Sequence, residues 1–196
     1  MARQKNLEPQ IDPTERQLRL IQRISRYMAR DAHLGDSLQQ VVSAVVEFME
    51  CDSCLLYLRQ DDGLVLCASN TPKPENIGRV RLAMGEGLTG WVARERRLLS
   101  VSREAYLDPR FKLFSDLPED TYHAFLSAPM IGRNRVVGVL NVQHREPHAH
   151  TGGEMEMLTT AGELIAGIVA LALIDPRQLS SAEVLDRVMA PAAARS

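Results

Sequence analysis

The chain of 196 residues is short of several things: three cysteines, aromatic residues at 5% with a single tryptophan, a net charge of only -2, and no long apolar run. Each shortage excludes a class of protein. An odd number of cysteines does not make the disulfide framework of a small secreted domain, so free thiols in a reducing compartment are expected. The near cancellation of 23 basic by 25 acidic residues leaves no concentrated positive surface for phosphates, which argues against a nucleic-acid partner. No stretch approaches the roughly 20 apolar residues a bilayer span needs. The opening Met1-Ala2-Arg3-Gln4-Lys5-Asn6 has no apolar core behind it, so no secretory signal and no membrane partner are expected, and the chain is placed in the cytoplasm.

What is present is the composition of a globular domain, 45% apolar and 24% charged, with enough length for one domain of about 150 residues and additions at either end. At the start Asp12 reads as a helix cap, with Pro13 at the first helical position and Glu15 three residues after the cap, so a helix is predicted over about 14 to 31. Its apolar positions Leu18, Ile21, Ile24 and Met28 form a seam, and Arg16, Arg19, Arg23, Arg26 and Arg30 cover the other sides. Asp36 is expected to start a second helix, whose Leu38, Val41, Val42, Val45, Val46 and Met49 recur at core-helix spacing.

From Ser53 the period becomes two. Cys54, Leu56 and Leu58 alternate with Leu55 and Tyr57, and Asp61-Asp62-Gly63 leads into Leu64 to Ala68, a β-hairpin pattern. A short strand over 79–82 precedes Met84-Gly85-Glu86-Gly87-Leu88-Thr89-Gly90-Trp91-Val92-Ala93-Arg94-Glu95. There three glycines in six residues permit a tight turn, and Leu88, Trp91 and Val92 then recur at helical spacing. A strand at 98–101, a polar excursion over 102–122 carrying Tyr106, Phe111, Leu113 and Phe114, and a second hairpin at about 124–131 and 135–143 follow. A long excursion with aromatics usually covers something. Thr151 with Glu154 three residues on starts a long helix whose apolar face includes Leu158, Ile165 and Ile168, ending at Asp175-Pro176. The elements predict an α+β fold around one antiparallel sheet of about six strands, with no βαβ repeat.

These segments are the ones that carry a family resemblance. Ile77-Gly78-Arg79-Val80-Arg81-Leu82, the Gly85 to Val92 turn, Asp108-Pro109-Arg110-Phe111, Phe125-Leu126-Ser127-Ala128-Pro129-Met130 and Gly138-Val139-Leu140-Asn141-Val142-Gln143 resemble a GAF domain. Of that family they look closest to the amino-terminal GAF domain of the nitrogen-branch phosphoenolpyruvate-protein phosphotransferases. The resemblance covers about 34–174. It implies a PAS-related sheet with the terminal helices on one face and a ligand pocket on the other, roofed by the 85–122 region. It divides the chain into an amphipathic helix (1–33), the domain (34–174) and a linker with a short helix and tail (175–196). Phosphotransfer chemistry is not carried over, because the catalytic domains of those enzymes would need hundreds more residues.

The pocket lining this implies is Tyr57, Trp91, Val101, Tyr106, Phe111, Phe114, His123, Phe125 and Met130, a mostly apolar set with few polar groups. The same side chains could simply fill a second core. Cys51-Asp52-Ser53-Cys54 is a C-x-x-C lying where a helix enters a strand, the reverse of redox motifs, and reads as buried small hydrophobes. The GAF-type reductases of free methionine sulfoxide keep cysteines in and after the glycine turn, where this chain has none, so an enzyme is not expected. His144, His148 and His150 could hold a metal in principle, but the loop context with Arg145, Glu146 and Pro147 reads as solvated, and neither metal nor cofactor is expected.

Relatives of this kind pair their terminal helices, which gives Leu18, Ile21, Ile24, Met28, Leu158, Ile165 and Ile168 as a dimerisation set. The functional expectation is a stand-alone sensory module that binds an unidentified small metabolite and signals through homodimer helices to a partner protein. The alternative is a purely structural dimerisation or interaction module with no ligand.

Overall fold

The computed structural model describes residues 12–30, 33–70, 74–111 and 122–172. Helix α1 (Pro13–Met28) opens as its sequence dictates: Asp12 accepts a hydrogen bond from the Thr14 amide at 3.2 Å. Helix α2 (Leu34–Met49) starts two residues before the expected Asp36. The His33 ring nitrogen Nδ1 accepts from the Gly35 amide at 3.2 Å and takes the capping role, so Gly35 falls inside the first turn. Helix α1 also stops earlier than the expected residue 31, at Met28.

Six strands follow: β1 (Ser53–Gln60), β2 (Gly63–Ser69), β3 (Arg81–Ala83), β4 (Leu99–Val101), β5 (Ala124–Gly132) and β6 (Arg135–His144). They form one sheet in the order β3-β2-β1-β6-β5-β4, every neighbour antiparallel. The hairpins make its halves, and the pairing of β1 with β6, from Ser53 opposite Gln143 to Leu58 opposite Gly138, zips the halves together. The second hairpin turns through Arg133 (φ 50°) and Asn134 (φ 61°), the two positive dihedrals that match a two-residue turn to the strand twist.

Helix α4 (Gly152–Ala172) begins with a reciprocal box. The Glu154 amide donates to Thr151 Oγ1 at 3.2 Å and the Thr151 amide to Glu154 Oε2 at 2.6 Å, as the Thr-x-x-Glu spacing predicts. The expected end at Asp175-Pro176 and the short pattern from Ser180 lie outside the described residues.

Period-two alternation decides which side chain meets which layer. Cys54, Leu56, Leu126, Ala128, Met130, Leu140 and Val142 face the layer of α1, α2 and α4, where they pack with Ile24, Val41, Val45, Leu158 and Ile165. Leu55, Tyr57, Leu64, Leu66 and Val139 face the other way, towards helix α3 (Gly87–Glu95). Helix α1 does not wait for a partner molecule: its Leu20, Ile24 and Met28 are buried in this same core, and Arg16 and Arg23 pair with Glu50 and Glu47 at 2.9 and 2.6 Å.

The turn before α3 needs its glycines. Gly85 (φ 88°) and Gly87 (φ 65°) adopt the left-handed region, and a Cβ on Gly90 would lie 2.5 Å from the Ala83 carbonyl oxygen. Gly153, in the first turn of α4, has nothing within 3.6 Å of the same position. Gly90→Ala should therefore cost about 1 to 3 kcal/mol by forcing the backbone apart, whereas Gly153→Ala should be neutral or stabilise by up to about 1 kcal/mol. Chemical denaturation of the two variants checks the contrast.

Candidate functional site

Helix α3 is laid on the sheet by a buried polar relay. Ser127 Oγ of β5 donates to Asn141 Oδ1 of β6 at 2.6 Å, and Asn141 Nδ2 donates to Thr89 Oγ1 of α3 at 2.8 Å. Around the relay Leu88, Val92 and Ala93 bury against Tyr57, Leu64, Leu82, Val139 and Phe125. The turn itself is closed by the Glu86 carboxylate, which accepts from the Ala83 amide at 2.7 Å, and by the Gly85 amide donating to the Gly90 carbonyl at 2.8 Å.

The foot of the 102–122 excursion folds back onto this helix. Asp108 accepts three bonds from Arg110, at 2.9 Å from its amide, 2.8 Å from Nε and 2.7 Å from Nη2, and the guanidinium so held lies 4.6 Å from the centre of the Trp91 ring. The bidentate pairing holds the Asp108 carboxyl below its usual range. Phe111, next along, packs with Leu88, Ala105, Val101 and Phe125. Between Leu82, Glu86, Leu88, Thr89, Phe111 and Phe125 a cavity of about 30 Å³ remains, room for one or two waters and no more.

With this geometry in hand, the chain can be set beside known proteins. A model of the GAF domain matches residues 33–169. The chain belongs to the GAF domain family. The solved GAF domains of phosphoenolpyruvate-protein phosphotransferases from Acinetobacter (29% identity, 81% of this chain and 96% of that one, TM-score 0.73) and Coxiella burnetii (27% identity, 83% and 96%, TM-score 0.75) share its fold. A curated relative from Escherichia coli K12, described as a phosphoenolpyruvate-dependent phosphotransferase system protein, is 29% identical over 152 residues, which are 76% of this chain. The chain spans only about a fifth of the length of that relative.

Within the GAF fold the expected lining residues do not all converge. Tyr57, Trp91, Val101, Phe111 and Phe125 all pack on the α3 side of the sheet, and Tyr106 meets His123 edge to face at 5.3 Å beside them. Met130 is a correction. It lies five residues from Phe125, an odd step along a strand, and is buried on the opposite face among the helices. Phe114 lies outside the described residues. Tyr57 is almost wholly buried, and burial raises its phenol pKa.

The dimerisation set needs a correction of the same kind. Ile24, Met28, Leu158 and Ile165 are buried in the protomer's own core, because α1 packs against α2 and α4. Only Leu18 is openly exposed, at 53%, while Ile21 and Ile168 are half-buried. Among the described residues no helix is long and apolar enough to cross a membrane.

The thiols of the C-x-x-C are inert packing groups: burial pushes Cys51 up to about 12 and lifts Cys54 well above its usual value, the opposite of a reactive thiol.

The three histidines before α4 contradict the solvated-loop expectation. His144 and His150 are buried, the His144 and His148 rings stack at 4.2 Å, and His150 lies within 5.3 Å of both. The sequence shows neither that β4 brings Ser100 to 3.2 Å from His150 Nδ1 nor that His148 Nε2 bonds Glu154 Oε1 at 2.8 Å. Burial, then the neighbouring His148 and His144, push His150 down to about 4 against the pull of Glu154. Burial and His148 lower His144 as well, opposed by Asp52 and Glu154.

As pH falls through the ordinary histidine value of about 6.5, the unfolded chain takes up protons that the folded one refuses. Stability should therefore decline from pH 6.5 towards about 4 and level off below the folded value. The depressed carboxyls Asp108 and Glu154 contribute only at the acid end, where they too begin to protonate. Urea midpoints between pH 7 and 4.5, in buffer stripped of divalent ions, should fall for the native chain and fall less for His150→Asn; equal slopes would contradict the assignment.

Proposed function

We propose that this GAF domain is a sensory module of the cytoplasm that takes a small metabolite between α3 and the foot of the 102–122 excursion and passes its occupancy to a partner protein through a helical homodimer. The observation that carries the reading is the Asp108–Arg110–Trp91 clamp, which holds the foot of the excursion on α3 next to Phe111, one wall of a cavity of about 30 Å³ that is also lined by Leu82, Glu86, Leu88, Thr89 and Phe125. A metabolite does not fit in 30 Å³. Binding must favour an arrangement with the clamp displaced, and a ligand can shift the equilibrium only by its differential affinity for the two arrangements. Tyr57, Trp91, Val101, Tyr106, Phe111, His123 and Phe125 are the contacts proposed for it. The homodimer seam is reduced to Leu18, Ile21 and Ile168, the members of the original set not consumed by the core.

No catalytic role is proposed. Burial raises the thiols of Cys51 and Cys54 out of the reactive range, and the phosphotransferase structures that the chain resembles are GAF domains. The filled clusters on the α3 face favour a second reading, an interaction module that binds no ligand.

Calorimetric titration of the full chain against a metabolite panel, read in parallel through the emission of its only tryptophan, separates the two. A binder should move Trp91 emission as Arg110 leaves the ring, and Arg110→Ala should strengthen binding several-fold by removing the closed state. Absence of any binder, with Arg110→Ala equally silent, would leave the ligand-free module. Native mass spectrometry should show a dimer that Leu18→Glu dissociates under either reading.

A further inference from the structure

The end of β6 and the loop into α4 hold three imidazoles in one place. His144, His148 and His150 each offer a ring nitrogen, and the three lie within 4.8 Å of one another. His144 and His150 are 7% and 8% exposed, and the Nε2 atom of each is buried without a hydrogen-bond partner. Buried polar atoms are rarely left without a partner, and two such nitrogens side by side, facing a third imidazole, call for an occupant. We propose that His144, His148 and His150, with the Glu154 carboxylate beside them, bind a divalent transition-metal ion of the zinc class, which ties the end of β6 to the start of α4.

The surroundings are those of a ligand shell. A metal-bound imidazole usually has its other nitrogen held by a hydroxyl, carbonyl or carboxylate, which fixes the tautomer and aims the ring. Ser100 Oγ holds Nδ1 of His150 at 3.2 Å and leaves Nε2 for the ion. Glu154 holds Nε2 of His148 at 2.8 Å and is itself fixed by the Thr151 amide at 2.6 Å and hydroxyl at 2.8 Å. Three imidazole nitrogens match zinc and its neighbours rather than calcium or magnesium, which prefer oxygen cages. Access is open: a groove of about 550 Å³ between α1, the end of α2 and the start of α4 is lined by His144, His148 and Glu154 together with Arg16 and Glu50.

The rings must close in on the ion. Tetrahedral coordination with bonds of about 2.0 to 2.1 Å puts ligand nitrogens about 3.4 Å apart, so the 4.8 Å spread contracts and the stacked His144 and His148 rings splay. His148, whose side chain is 36% exposed, has the freedom to make that movement. The ion then ties the end of β6 to the loop that leads into α4, a loop already anchored by the bond from the His148 amide to the Ser102 carbonyl.

The full chain, stripped with chelator and dialysed, is titrated with zinc by calorimetry and with cobalt by visible absorption. One ion per chain, a raised melting temperature and the absorption of low-coordinate, nitrogen-ligated cobalt are expected. His148→Gln should weaken zinc binding at least 100-fold and Ser100→Ala by about tenfold, the usual loss for a supporting group. His33→Gln should bind zinc as the native chain does. Because His148 is half-exposed, its variant should fold even where substitution of buried His144 or His150 does not. No uptake at micromolar zinc, six-coordinate aquo-like cobalt only, or affinity unchanged in His148→Gln would each overturn the site.

Discussion

Everything on the α3 side of the sheet depends on the buried hydrogen bond between Asn141 and Thr89. Helix α3 has nine residues, too few to persist alone in water, and a glycine turn in place of a side-chain cap at its start. What holds it is the burial of Leu88, Val92 and Ala93 and the relay that runs from Ser127 through Asn141 to Thr89. Apolar burial is non-directional, whereas the relay accepts one rotation and one depth of the helix. That choice sets where the Trp91 ring lies, which sets where Arg110 can stack, which sets where the excursion leaves the sheet.

Strand β6 touches both layers of the fold and ends in the histidine cluster. Its Asn141 reaches α3, its Leu140 and Val142 enter the helical core, and its last residue is His144. The strand occupies the centre of the sheet, paired along its length with β1 and β5. A displacement of α3 by a ligand and a clamp at the β6 end would therefore act on the same rigid element. In the proposed mechanism this is the route by which the sensory face and the helical layer share a free energy.

Much of this was readable from the residues. The alternation in β1 separates Cys54, Leu56 and Leu58 from Leu55 and Tyr57 in the structure as it does in the sequence, and the glycine spacing marks the α3 turn without ambiguity. The lining that the resemblance implies includes Met130, whose odd offset from Phe125 along β5 assigns it to the helical face. Ile24, Met28, Leu158 and Ile165 were read as a seam between molecules because a helical stripe does not say whether its partner belongs to the same chain. The histidines escaped for a different reason. The bond that holds His150 comes from Ser100 of β4, a contact across 50 residues of sequence that no local pattern encodes.

The central claim, that Asn141 pins α3 to the sheet and so organises that side of the fold, is most directly tested by native-state hydrogen exchange on Asn141→Ala. The account predicts that the amides of α3, residues 87–95, lose protection by a factor of ten or more while those of α2, α4 and the β1–β6 pair keep theirs. Unchanged protection in α3, or an equal loss throughout the molecule, would contradict it.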